Sequence, residues 1–237
     1  MNIIFHQFAG IGDCLFVTPA LHVIKQAYPN SSITFHTNKS RLLKGNPWID
    51  KIGNERKGVR ATYTAPNSGK HPTKHHIIEV WERICDAYNL QTDTPKLKPE
   101  LYLDNMPAKR NIVGVQIRHK RIYHSKRVWP KLEELSKQDG FEPIPLVKTD
   151  QDFVRQIASY RIVVCPEGGV SHIAAALGMP AIVLMGGFTC PEWVGYDFHT
   201  NITSNIDCKY CYNNNPCKNN FKCWDEVSIN QIKELVL

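Results

Sequence analysis

The stretch Arg161-Ile-Val-Val-Cys165-Pro-Glu167-Gly168-Gly169-Val-Ser171-His172-Ile-Ala-Ala-Ala-Leu-Gly178-Met-Pro180-Ala181-Ile-Val-Leu-Met185 decides the fold. Its two apolar runs, 161–165 and 181–185, read as buried strands, and the Ala-rich segment between them reads as a short helix. Strand, Gly-Gly turn, helix, strand is a βαβ unit, the element from which parallel sheets are built. Glycines at 168 and 169 remove Cβ atoms where a ligand would approach the backbone. The helix start behind them points free N–H groups and a positive dipole end at the same place, which suits a diphosphate. A plain crossover whose glycines only make the turn accounts for the same residues, so the local pattern leaves both readings open.

The N-terminus repeats the theme. Asn2-Ile-Ile-Phe-His-Gln-Phe8 reads as a first strand, and Ala9-Gly10-Ile-Gly12-Asp13 as a glycine turn ending in an acid. Thr18 to Tyr28 reads as an amphipathic helix with Pro19 at its start and Pro29 after its end. Asp13 in this setting reads first as a helix cap. Further strands are expected at 32–37 and near 49–52, and a helix at 77–89. The Gly-, Thr-, Pro-, Lys- and His-rich residues 57–76 read as a long loop, in which His71, His75 and His76 are expected to be solvated rather than to form a metal cluster. A Pro- and Lys-rich linker at 95–109 separates this half from a second. There a strand at 111–117, a helix at 130–138, a strand at 144–147 and a helix at 151–159 precede the Glu-Gly-Gly unit. The expectation is an α/β protein of two Rossmann-like domains, 1–104 and 105–237, whose parallel sheets face each other across a cleft.

Glu167-Gly-Gly-Val-Ser-His172, with the following Ala-Ala-Ala-Leu-Gly and Pro180, resembles the donor-site motif of glycosyltransferase family 9, the ADP-heptose:lipopolysaccharide heptosyltransferases. The family's usual form is Asp-Ser/Thr-Gly with a His three residues on; here Glu167 stands for the Asp and Gly168 for the Ser or Thr. Met185-Gly-Gly-Phe-Thr-Cys-Pro191 resembles the family's next strand-end loop. The Gly-Asp turn and the Thr-Pro-Ala-Leu helix resemble its opening, and Lys126-Arg127-Val-Trp129-Pro130 resembles its Lys-x-Trp-Pro. The resemblance spans most of the chain, with strong motifs at 9–29 and 161–193. Members are commonly longer, and most of the shortfall lies in the first half.

The resemblance implies a GT-B fold with a reduced N-terminal acceptor-side domain. It implies transfer of a sugar, heptose in the best-known case, from a nucleotide-diphosphate sugar to a glycan, lipid-linked or protein acceptor, with inversion and with no cofactor in catalysis. Asp13 inherits the role of general base. Gly10, Gly12, Arg118, Lys126, Arg127, Glu167, Gly168, Gly169, Ser171 and His172 inherit substrate binding. Arg127 takes the place of the phosphate-contacting Lys, a change that preserves charge and adds a bidentate fork. A non-catalytic sugar-nucleotide-binding protein and an epimerase-like enzyme are the nearest alternatives.

Cys208-x2-Cys211-x5-Cys217-x5-Cys223 places four soft ligands within sixteen residues, a set that suits structural zinc or iron as well as packed free thiols. In such a finger Tyr210, Tyr212, Phe221 and Trp224 would pack it onto its domain. Cys14, Cys85, Cys165 and Cys190 read as packed. The 237 residues, 42% hydrophobic, suffice for one or two cored domains. No apolar run approaches the ~18 residues of a membrane span, and no basic-then-apolar leader opens the chain. The expected location is cytoplasmic, with peripheral contact at the inner face of a membrane left open. The formal charge of +7 suits anionic partners without choosing among them. Nucleic-acid binding through the cysteine finger, whose Lys209, Lys218 and Lys222 lie among aromatics, ranks last because it leaves both glycine turns unexplained.

Overall fold

The computed structural model describes residues 1–118 and 126–236. The first half builds a parallel sheet in the order β3-β2-β1-β4, from β1 (Asn2–His6), β2 (Ser32–His36), β3 (Lys51–Gly53) and β4 (Val59–Arg60). Three helices belong to it: α1 (Ile11–Leu15), α2 (Thr18–Ala27) and α3 (His76–Tyr88). The second half builds a parallel sheet in the order β6-β5-β7-β8-β9, from β5 (Arg110–Val115), β6 (Phe141–Pro143), β7 (Tyr160–Pro166), β8 (Ala181–Gly186) and β9 (Thr200–Thr203). Around it lie α4 (Leu132–Leu135), α5 (Asp150–Ala158), α6 (Gly169–Ala176), α7 (Pro191–Val194) and α8 (Ile229–Val236). The α/β architecture with two parallel sheets is the one the sequence predicts.

Apolar alternation decides which face each sheet buries. Ile3, Phe5, Ile33 and Phe35 pack with Leu21, Ile24, Ile77 and Ile84 of α2 and α3. The same buried cluster continues through Cys14, Leu15 and Phe16 into Val170, Ile173 and Ala174 of α6, so the two halves share one core. A second cluster covers the other face of the five-stranded sheet, where Val113, Val115, Val164, Ile182 and Leu184 meet Trp129, Leu135, Trp224 and Ile232. Neighbouring Val163 and Val164 go to opposite clusters, as the twofold period of a strand requires.

Four expectations need correction. The glycine turn at 9–13 runs into a helix, α1, rather than an open turn. The supposed loop 57–76 contributes β4, which pairs with β1. The helix expected at 130–138 shrinks to α4, because Ser136 Oγ donates to the Glu133 carbonyl and competes with the helical ladder. The strand expected at 144–147 lies at 141–143 instead. Ile144 N still donates to Val115 O at 2.8 Å, just past the end of this edge strand.

Candidate active site

In parallel sheets, ligands bind beyond the carboxyl ends of the strands. Two such ends meet here. After β1 the chain turns through Gly10 into α1, and after β7 it turns through Gly168 into α6. Gly168 has φ +149° and ψ −154°, a conformation open essentially to glycine. A Cβ there would meet no atom within 4 Å, so open space lies beside the start of α6. The two turns pack directly on each other. A Cβ on Gly12 would sit 2.4 Å from His172 Cδ2, and one on Gly169 would sit 3.6 Å from Ile11 Cβ.

Asp13 is held by both oxygens. Its Oδ2 accepts from Gly10 N at 2.7 Å, which ties down the start of α1, and its Oδ1 accepts from Tyr63 Oη at 2.6 Å. In the other half, Glu167 follows directly on β7. Burial opposes ionisation of Glu167, but the Arg127 guanidinium and His172 outweigh it and hold the carboxyl far below the usual range. Arg127 forms a close ion pair with Glu167 Oε2, and its guanidinium lies over the Phe188 ring, 4.7 Å from the centroid. His172 is buried where the halves meet. Its Nε2 is 3.4 Å from Glu167 Oε1, its Nδ1 bonds Tyr196 Oη at 2.7 Å, and its ring lies 4.5 Å from that of Phe16.

The other expected residues divide. Gly10, Gly12, Asp13, Arg127, Glu167, Gly168, Gly169 and His172 gather at this junction. Ser171 is buried at 2% exposure and closes its own turn, accepting from Gly168 N and donating to Gly168 O, so its hydroxyl is committed to the fold. Lys126 turns to the cysteine segment and donates to Asn213 O and Oδ1. Arg118 is exposed beyond the end of β5.

Sequence reasoning missed a buried aromatic and imidazole cluster in the same place. His75 and His76, expected to be solvated, are 4% and 2% exposed. Burial lowers the pKa of His75 to about 4 and also lowers that of His76. Tyr63 stacks on His76 with centroids 3.9 Å apart. Tyr63, Tyr196 and Tyr212 all have raised pKa values, because burial penalises their anions and the charge of Glu167 adds to the penalty. The available signal was a pair of histidines directly before an amphipathic helix: His75 is the N-cap of α3, accepting from Ile77 N.

Cys208, Cys211, Cys217 and Cys223 line one cavity of about 300 Å³ together with Lys126, Gly187 and Asn213. Phe221 N donates to Cys217 Sγ at 3.3 Å. Among the described residues, no group of three or more His, Cys, Asp or Glu is arranged to hold a metal ion. The other four cysteines are buried thiols. Of the finger's aromatics, Trp224 packs against Gly186 as expected, whereas Tyr212 reaches across to the first half. Among the described residues no helix is long and apolar enough to cross a membrane.

No protein-family profile matches the chain, and no curated protein sequence does. Solved structures do match. The E. coli heptosyltransferase WaaC with ADP superposes with a TM-score of 0.68 at 14% identity, over 100% of this chain and 99% of that one. A glycosyl transferase family 9 protein from Veillonella parvula gives 0.69 at 13%, over 98% and 95%. The dodecameric iron-containing heptosyltransferase TibC, in complex with ADP-D-beta-D-heptose, gives 0.71 at 10%, over 99% and 75%. The chain therefore has the two-sheet GT-B-like fold of these enzymes.

Proposed function

We propose that the chain is a glycosyltransferase that moves a sugar from a nucleotide-diphosphate sugar to a hydroxyl of a glycan, lipid-linked or protein acceptor. One observation carries this reading. Two glycine turns at strand carboxyl ends abut, with an anchored carboxylate, Asp13, on one side and the buried Arg127–Glu167 pair on the other.

In this reading the acceptor oxygen attacks the anomeric carbon on the face opposite the diphosphate, and the bond from that carbon to the phosphate oxygen breaks. The electron pair leaves on the diphosphate, the hydroxyl proton passes to the Asp13 carboxylate, and the anomeric centre inverts. Arg127 and the first N–H groups of α6 take up the charge that develops on the leaving group. The open space beside Gly168 admits the phosphates, and Glu167 keeps lone pairs for donor hydroxyls. Shared fold with proteins that hold ADP and ADP-heptose puts an adenosine-diphosphate sugar first among the donors to try.

Cys208, Cys211, Cys217 and Cys223 are not arranged to hold an ion here, but they share one cavity, and on drawing together they would supply four soft thiolates to one structural zinc or iron ion. Metal analysis of protein purified without chelator should find about one equivalent per chain; four freely titrating thiols and no metal would remove that part of the reading.

Calorimetry with ADP-, GDP-, UDP- and dTDP-sugars tests the whole. One of them should bind in the micromolar range, and Arg127→Ala should weaken it by about tenfold or more. A folded protein that binds none of the four ends the transferase reading.

A further inference from the structure

The cysteine-rich segment touches the opposite half of the molecule at one place. Tyr212 is buried, 4% exposed, and adopts φ +40°, a left-handed conformation costly for a bulky residue. Its backbone is stitched to the loop after β8 through Cys211 N to Gly187 O and Tyr212 N to Phe188 O, each 3.1 Å. The stitching continues into the first half, where Asn67 N donates to Tyr212 O and Asn214 N donates to Asn67 Oδ1 at 2.7 Å. Such strain persists where surrounding contacts over-determine the position, and here they aim one phenol.

That phenol lands on the support of Asp13. Tyr212 Oη donates to Thr64 O at 2.8 Å. With its one proton used there, it accepts from His76 Nε2 at 3.0 Å. Thr64 is fixed from beneath as well, since its N and Oγ1 donate to Glu79 Oε2 and Oε1 at 2.7 and 3.0 Å. Tyr63, the residue before Thr64, is therefore located twice by Tyr212: through the Thr64 carbonyl, and through the His76 ring on which it stacks. Tyr63 Oη in turn donates to Asp13 Oδ1.

We propose that Tyr212 and Tyr63 are positioning residues in series, by which the cysteine-rich segment of one half orients the Asp13 carboxylate of the other. The inference rests on the transferase reading for its consequence in turnover, but not for its geometry. Asp13 has two oxygens. Gly10 N holds one from the N-cap of α1, which fixes the carboxylate to its own helix. The Tyr63 bond fixes its rotation about the side-chain axis, and so the direction in which a lone pair meets an acceptor hydroxyl. A carboxylate free to rotate would still bind donor but would meet the acceptor less often in the productive geometry.

Tyr63→Phe and Tyr212→Phe keep both rings and remove one hydroxyl each; because Tyr212→Phe leaves the Thr64 carbonyl and His76 Nε2 without that partner, a lower Tm is expected for it, and the kinetics are read well below the melt. Tyr63→Phe should lower kcat about tenfold, and Tyr212→Phe about threefold, with donor KM changed less than about twofold in each. Because the two act in series, the double variant should be no slower than Tyr63→Phe alone. Multiplying effects, or a loss confined to KM, would overturn the proposal. Amide NMR decides independently of turnover. Tyr212→Phe should shift the Gly10 and Asp13 amide resonances as well as those of 64–67. Shifts confined to 64–67 and 211–214 would overturn the relay even in an active enzyme. Shifts at Gly10 and Asp13 in a protein that transfers nothing would leave the relay standing and end the transferase reading alone.

Discussion

The turn at 166–172 and the pair of segments 61–76 and 208–214 both end at the same junction, yet they reach it by opposite means. The first is local. Gly168, Ser171 and the start of α6 make their bonds within three residues, and Glu167 is delivered by the strand that precedes it. The second is entirely non-local. Tyr212 bonds Thr64 across 148 residues and His76 across 136, and Tyr63 bonds Asp13 across 50. Backbone conformation builds one side of the site, and side-chain hydroxyls and imidazoles brought together by the tertiary fold build the other. A local turn survives most changes elsewhere, whereas the assembled side depends on the two halves staying docked.

The largest test falls on Asp13, where the two sides meet. Asp13→Asn keeps an oxygen for Gly10 N but cannot take a proton. Steady-state transfer should fall by about 10²- to 10⁴-fold while donor affinity changes little. Retained turnover would reduce Asp13 to the helix-capping residue that its Gly10 bond already makes it.

The glycines separate the two sides next. Gly12→Ala pushes a methyl to 2.4 Å from a buried His172 ring already held by Tyr196 and Glu167, so neither partner has room to yield. Overpacking of this kind costs about 1–3 kcal/mol, visible as a lower Tm. Gly169→Ala meets only Ile11 at 3.6 Å, an ordinary contact. Its stability should stay within about 0.5 kcal/mol of wild type, while nucleotide-sugar binding weakens, as the proposed phosphate site at the neighbouring Gly168 requires. Equal destabilisation by both substitutions would mean that the second glycine serves packing alone.

The same division explains what was legible in the sequence. The βαβ unit at 161–185 and Asp13 at a helix start were readable because each is set by periodicity or glycine placement, whereas the ion pair of Arg127 with Glu167 was not read from the sequence. Ser171 sat in the motif yet spends its hydroxyl on Gly168, since a motif gives proximity to a site and not the direction of a side chain. Lys126 and Arg127 are neighbours, but one faces Asn213 and the other Glu167. Tyr63 and Tyr212 carry no local signature. A polar, Gly- and Pro-rich stretch reads as solvated loop, and most of 65–74 is exposed, while the docked cysteine-rich segment contacts Thr64 and Asn67. The strand around Ile144 shows a different error: the apolar residue suggested a strand from 144 on, while the pairing with β5 runs over 141–143.

The smallest effect tests how firmly the halves are docked. His75 Nδ1 accepts from Ile77 N, so the neutral ring carries its proton on Nε2 and donates it to Gly195 O at 3.0 Å, a bond between α3 and the end of α7. Protonating Nδ1 would set a donor against the Ile77 N–H. Burial accordingly lowers the His75 pKa from 6.5 to about 4. The folded protein stays neutral at this ring where the unfolded chain takes up a proton. This contribution to stability is therefore complete above about pH 6.5, is lost as pH falls toward 4, and is constant below that. The slope is at most about 1.4 kcal/mol per pH unit for one group. His199, also lowered to about 4 by burial, adds a second such group bonded to Met179 O within the same half. His75→Asn keeps an N-cap for α3 but removes the titration. Urea melts between pH 6.5 and 5 should then show about half the wild-type loss attributable to these two rings. An unchanged slope would place the acid sensitivity on the other buried rings, His199 and His76, whose pKa values burial also lowers.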